Sequence, residues 1–195
     1  MSRGYHHGGL RETLVDTCLG LIAERGFEAF SVAEAARRAG VSAAAPYRHF
    51  ADRASLLAAV AGTVARRLAE RVDAAAAGHA NAAERLAAAT GAYTGFVIES
   101  RAGLHVIFAP GLDDPRHAGL HEHSRALMDR FLALAFAVSP GPETGLDLME
   151  RLLAQAHGYA TFHLDGVFAQ HGHTAELVVH KSETAARTLI GAWQE

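Results

Sequence analysis

The stretch from Ser31 to Phe50 constrains this chain more than any other, because its residue types fall where two short helices must start and stop. Ser31 followed by Glu34 has the spacing of a capping box, in which the serine oxygen meets a free amide and the glutamate reaches back. Arg37 and Arg38 then precede Gly40, the residue that takes a positive φ at least cost, so a helix ends there. Ser42 stands where it can cap a second short helix beginning at Ala43. Two brief helices joined by a turn of about three residues outline a helix-turn-helix. In that geometry the second helix enters the major groove of DNA while the first crosses the backbone.

The same residues carry a resemblance. Gly26-Phe27, Ser31-Val32, Ala35-Ala36, Ala39-Gly40-Val41-Ser42, Tyr47-x-His49-Phe50, Arg53 and Leu56-Leu57 resemble the DNA-binding module of the tetracycline-repressor (TetR) family of bacterial regulators. Upstream, Gly4 to Arg11 resembles an N-terminal arm found in part of that family, with Gly9 where an acidic residue is more usual. The resemblance covers about the first third of the chain, and its many fixed spacings make it more specific than a short motif. Beyond it, the chain is similar to the family only in being long, helical and variable.

The expected fold is all-α. An N-terminal arm and three-helix domain with the helix-turn-helix occupies residues 1–53, and a larger helical ligand-binding and dimerisation domain occupies residues 54–195. Apolar stripes at helical spacing support this: Leu14, Cys18, Leu21 and Ile22 before Gly26, and Leu57, Val60, Val64, Leu68 and Val72 after Asp52, itself a good N-cap. Further helices are expected near 81–101, 103–109, 117–138, 143–168 and 174–194, separated by Pro110-Gly111, Asp114-Pro115 and Ser139-Pro140-Gly141-Pro142. Leu86, Tyr93 and Val97, and Leu127, Phe131, Leu134 and Val138, are stripes that would face inward. Strand-like alternation is absent. The helix from Arg53 to about Ala77 runs through both halves without a linker, so a signal from the C-terminal body would have to tilt it.

Composition narrows the setting. Half of the residues are apolar and no run of about 18 lacks charges, which argues against a membrane span. No apolar leader with a cleavage site is visible, and Cys18, the only cysteine, reads as a small buried hydrophobe; the expected compartment is the cytoplasm. Through Arg53 there are seven arginines against six acids, and the rest of the chain carries eleven basic and fifteen acidic groups. The asymmetry is small, with the basic end where phosphates would be.

The candidate DNA contacts follow. Ser42, Ala43, Ala44, Ala45, Tyr47, Arg48 and His49 make up the expected recognition segment, with Pro46 in its first turn. Alanine methyls can meet thymine methyls, and Arg48 alone has the fork to address guanine, so direct readout is thin and DNA shape must contribute. The resemblance implies phosphate contacts for Tyr47, Ser31, His49 and Arg53; the other reading makes Tyr47 and His49 packing residues between helices. Arg3 is either an arm reaching into a minor groove or part of a frayed terminus.

The resemblance also implies a cavity in the helical body whose occupant lowers DNA affinity, and pairing of two chains through the last two helices. Tyr93, Phe96, His105, Phe108, Met128, Phe131, His157, Tyr159 and Phe162 are candidates to line the cavity, which would suit a small, mainly apolar ligand; each also suits an ordinary core. Met149, Leu153, Ala156, Ala160, Leu177, Ala185, Leu189 and Trp193 are candidates for the dimer face, and an internal core is the alternative. A lone helix-turn-helix covers one half-site, which favours a homodimer on a palindromic operator of double-stranded DNA.

Thirteen histidines raise a metal-responsive alternative, with His117 and His121 four apart and His171 near His173. No third fixed ligand completes either pair, so no metal and no cofactor is expected. No nucleophile elbow, zinc-protease helix, P-loop or dinucleotide fingerprint is present, which sets an enzyme aside. The expectation is a DNA-binding transcriptional regulator, most readily a repressor released by an unidentified small molecule. A DNA-binding regulator without small-molecule input is the runner-up.

Overall fold

A computed structural model describes residues 7–27 and 30–193. Arg3, the candidate minor-groove arm, lies outside them. The described residues form α-helices and short 3₁₀ turns, with no strand among them. In order these are α1 (His7–Arg25), α2 (Val32–Arg38), a 3₁₀ turn (Pro46–Arg48), α3 (Arg53–Ala77), α4 (Ala82–Ser100) and α5 (Leu104–Ile107). There follow α6 (Ala118–Phe136), α7 (Pro142–Leu164), a second 3₁₀ turn (Ala169–His171) and α8 (Ala175–Trp193). No described helix is long and apolar enough to cross a membrane.

By packing, the chain divides into two compact units. One gathers the chain up to Ala65 and adds Ser100–His123; the other combines Arg66–Glu99 with Ser124–Glu195. These units do not coincide with a division at residue 53, because α3 contributes to both and α5 with the start of α6 belongs to the first.

In the first unit the α1 stripe of Leu14, Cys18, Leu21 and Ile22 is buried against a core that includes Val32, Ala35 and Ala36 of α2. Burial in apolar surroundings pushes the Cys18 thiol up to about 12. Leu56, Leu57, Val60 and Val64 of α3 and Val106, Ile107 and Leu120 complete the interior. At Gly62, a Cβ would sit 3.4 Å from the Cα of Leu120, so α3 and the first turns of α6 approach closely because no side chain intervenes.

In the second unit Leu68, Val72, Leu86, Tyr93, Val97, Leu127, Phe131, Leu148 and Leu152 are all but fully buried. A polar knot ties three helices together here: Ser182 on α8 lies 2.8 Å from Thr94 Oγ1 on α4 and accepts from Gln155 Nε2 on α7 at 3.0 Å. Arg187 on α8 reaches Glu84 on α4 at 3.0 Å. The helix expected to run to Phe168 ends at Leu164. Asp165 caps it and Gly166 takes a φ of +78°, which a continuing helix cannot use.

Candidate nucleic-acid interface

The helix-turn-helix forms from the residues that signalled it, with two departures. Ser31 is the N-cap of α2 in extended backbone, but its side chain makes no capping bond. Glu34 does not reach back; its carboxylate accepts from Arg37 at 2.7 and 2.9 Å, the two charged N–H donors of a guanidinium being a stronger draw than one amide. That hydrogen bond also holds the Glu34 carboxyl below its ordinary value. Arg38 grips Glu24 of α1 with two bonds of 2.5 and 2.6 Å, which holds the Glu24 carboxyl down likewise and pins α2 onto α1. α2 ends at Arg38, and Gly40 takes a φ of +70° to turn the chain.

The second departure concerns the recognition segment. No α-helix starts at Ala43; the chain makes a turn, with Ala45 N–H donating to Ser42 O at 2.9 Å, and then a 3₁₀ turn over Pro46–Arg48. Pro46 has no N–H to donate back to Ser42, so the four-residue ladder cannot begin and three-residue bonds take over. This tighter winding decides which residues face out. Ala45 and Pro46 are buried, whereas Ser42, Ala43, Ala44, Tyr47 and Arg48 are exposed and His49 is half-buried. Ala45, expected to contact DNA, is therefore part of the core that holds the segment. Tyr47 is 54 % exposed, too open for a packing residue between helices. Ser31 and Arg53 are exposed as well, the Arg53 guanidinium lying 5.6 Å from the centre of the Phe30 ring. Asp52 caps α3 through the Ser55 amide at 2.7 Å, and the Ser55 bonds hold its carboxyl below the ordinary value. The arrangement can present two guanidinium groups, one phenol, two small-residue edges and two serine hydroxyls to DNA.

The nine residues expected to line a body cavity are not brought together. Tyr93, Phe131 and His157 meet in the second unit. The Tyr93 hydroxyl is 2.9 Å from His157 Nδ1, the Tyr93 and Phe131 rings pack edge to face at 6.4 Å, and burial lowers the His157 pKa. Tyr93 and Phe131 are core, at 0 and 2 % exposure. Phe96 is buried and Met128 half-buried on the same unit. Tyr159 and Phe162 instead join Phe168 and His173 in a cavity of about 340 Å³, also lined by Gln155 and Lys181. His105 and Phe108 lie in the first unit and are exposed, which removes them from a cavity of the second. Periodicity could not have found Phe168, His173 or Lys181, since the turn that brings them beside α7 depends on Gly166 and Gly172, both at positive φ.

The dimer-face candidates divide the same way. Met149, Leu153, Ala156 and Ala160 are buried within the single chain, where the small residues allow α7 and α8 to pack closely. They belong to the core, not to an outer face. Leu177 is exposed and Ala185 and Leu189 are half-buried, while Trp193 donates to Thr144 O at 3.1 Å under the Arg151 guanidinium. The outer face of this pair also shows Leu146 and Phe162, at 44 and 52 % exposure.

His117 and His121 each use a ring nitrogen on a backbone carbonyl, of Leu112 at 3.2 Å and Asp114 at 3.0 Å. No group of three or more metal-ligating side chains is found among the described residues.

Helical throughout its described residues, with an exposed arginine and tyrosine on a tight turn after a glycine hinge, the chain has the build of a helix-turn-helix DNA-binding regulator, and the family comparisons agree. The family model for bacterial regulatory proteins of the tetR family matches residues 14–60, and that for the tetracyclin repressor-like C-terminal domain matches residues 86–182. The chain belongs to the TetR family. It is similar over the full length of both chains to a solved protein of unknown function from Rhodococcus sp. RHA1, at 30 % identity and a TM-score of 0.78. It shares its fold with SCO4454, a TetR-family transcriptional regulator from Streptomyces coelicolor. There the identity is 19 %, the TM-score 0.69, and 96 % of this chain and 97 % of that one are covered. A TetR variant from Acinetobacter baumannii AYE, solved in complex with minocycline, has the same fold at 17 % identity and a TM-score of 0.64, over 98 and 97 % of the two chains. No curated protein sequence matches the chain.

Proposed function

We propose that this chain is a homodimeric repressor that binds a palindromic operator through residues 1–53 and is released by a small, mainly apolar ligand held in residues 54–195. The observation that carries the reading is the exposure of Tyr47 and Arg48 on the turn after Gly40, with Ser31, Ser42, Ala43, Ala44 and Arg53 exposed around them. Arg48 addresses base edges, and Tyr47, Ser31, His49 and Arg53 address phosphates. Two copies bind two half-sites about one helical turn apart, and the operator sits in the cytoplasm with its genes.

Support for the ligand comes from the cavity of about 340 Å³ with Tyr159, Phe162 and Phe168 on its walls. Gln155 and His173, which line it, each also hold a buried polar atom without a partner, Oε1 and Nδ1. A compact, mainly aromatic or aliphatic molecule suits such walls. Support for the dimer comes from the exposed apolar residues Leu146 and Leu177 on α7 and α8. A ligand acts only by binding one dimer shape better than the other. No catalytic step is part of this reading.

The test is selection of bound fragments from random duplexes, followed by titration of the selected duplex with apolar candidate ligands. A palindrome bound by two chains and released by a ligand supports the reading in full. A bound palindrome that no ligand releases supports a regulator without small-molecule input, which the wholly buried Tyr93 and Phe131 also favour. Failure to enrich any duplex would refute DNA reading altogether.

A further inference from the structure

The cavity of about 340 Å³ in the second unit has walls of two kinds, and the difference narrows what it can hold. One side is aromatic. The Phe168 ring centre lies 5.8 Å from that of Tyr159, 5.9 Å from that of Phe162, edge to face, and 5.5 Å from that of His173. Gly158 of α7 lines the same space, and a Cβ added there would meet nothing within 4 Å. Glycine is a costly residue inside a helix of 23 residues, and here its missing side chain leaves that much more room for an occupant.

The other side carries charge. Gln155 Nε2 on α7 donates to Ser182 on α8, to its carbonyl at 3.3 Å and its hydroxyl at 3.0 Å, and this clasp brings the preceding residue, Lys181, to the cavity wall. Lys181 is the only lysine in the chain and is half-buried. Its neighbours one helical turn away are Leu177, Val178, Thr184 and Ala185, so its own helix face offers it no carboxylate. The residues that share the cavity with it offer none either, and it forms no ion pair among the described residues. The pKa of His173 is lowered, by burial first and then by the charges of Lys181 and His171, so at neutral pH this imidazole adds no charge of its own.

A cation drawn partly out of water beside aromatic walls calls for a counter-charge. A lysine presents a single point charge with no planar fork, which matches a group with one negative charge better than a doubly charged phosphate.

We infer that the occupant of this cavity is an aromatic or aliphatic carboxylate, its apolar body against Tyr159, Phe162 and Phe168 and its carboxylate on Lys181 Nζ. This rests on the reading that the second unit holds a small, mainly apolar ligand, and it adds the group which that ligand carries. A neutral molecule of the same shape fills the aromatic side but leaves the ammonium without a partner, and a cation is repelled by it.

Isothermal titration calorimetry on the full chain, without DNA, compares naphthoate with naphthamide, which has the same shape and no charge. Naphthoate should bind at least about tenfold more tightly, and Lys181→Met should abolish that difference while leaving naphthamide as it was. Reductive methylation with isotope-labelled formaldehyde marks only Lys181 and the α-amino group and keeps their charge. Naphthoate should therefore move the Lys181 methyl resonance and naphthamide should move it far less, a readout that needs no folded Lys181→Met. Gly158→Leu, which adds its side chain into open space, should weaken both probes. Equal affinity for the two probes, or a Lys181 resonance that bound naphthoate leaves in place, would overturn the charge pairing and leave an apolar ligand in the cavity. Failure of both probes to bind, or native affinity for both in folded Gly158→Leu, would overturn the cavity as the ligand site and this inference with it.

Discussion

Arg48→Ala isolates the one side chain of the recognition turn that can read guanine. The residue is exposed and makes no ion pair among the described residues, so its loss leaves no carboxylate stranded and the fold intact. A bidentate contact to guanine discriminates by about 1–3 kcal/mol, a factor of about 5–150 in Kd for one half-site. On a palindrome bound by two copies the losses add, to about 2–6 kcal/mol, because the sites are far enough apart to be independent. Fluorescence anisotropy on the selected palindrome, on a duplex with one half-site scrambled and on a random duplex separates these cases. The palindrome should lose about the square of the factor seen with one half-site, and the random duplex should lose little. Arg38→Ala provides the contrast: its guanidinium is already committed to Glu24 by two bonds, and it should change operator affinity by less than about 0.5 kcal/mol. Equal loss on operator and random DNA after Arg48→Ala would show that Arg48 meets a phosphate, and the argument for base reading from this turn would fail.

Other expectations follow from the same geometry. Arg53→Ala should weaken all duplexes alike and lower the salt dependence by about one unit of slope, as read from affinity at several salt concentrations; an unchanged slope removes Arg53 from the phosphate contacts. Gly40→Ala should destabilise the chain by about 1–2 kcal/mol in urea unfolding, because Gly40 has a φ of +70° with open space around it, so the cost is conformational. Ser182→Ala breaks the link between Thr94 and Gln155 and should cost about 1–3 kcal/mol by the same measurement, an effect near zero meaning that water replaces the hydroxyl. Burial lowers the pKa of His157 from its ordinary 6.5, so the unfolded chain binds more protons in that window and stability is lost as pH falls below about 6.5. His157→Gln should flatten part of that dependence in thermal scans, the rest coming from His173, whose pKa is lowered mainly by burial too.

Much of the fold could be read from residue spacing because helix boundaries here rest on local chemistry. Gly26 and Gly40 stop α1 and α2 through their own φ angles, and Asp52 starts α3 through its own carboxylate. Apolar stripes on α1 and α3 became core because a helix buries one side wherever its neighbours lie. The capping box was the first reading to fail, and it failed through competition. Glu34 had two possible partners within reach, and only the three-dimensional position of Arg37 settled which one it takes.

The candidate sites were legible only where exposure follows from local winding. Pro46 was recognised as a residue that can begin a helix, but its missing N–H acts on the residue pattern one step further. It converts the segment to three residues per turn, which turns Ala45 inward and leaves Arg48 outward. The body residues carry no such local signal. An aromatic side chain at helical spacing faces either core or cavity, and what decides is the shape of a distant segment. Tyr93 and Phe131 fill space that α7 closes over with His157, whereas Tyr159 and Phe162 look onto space held open by the turn from Asp165 to His173.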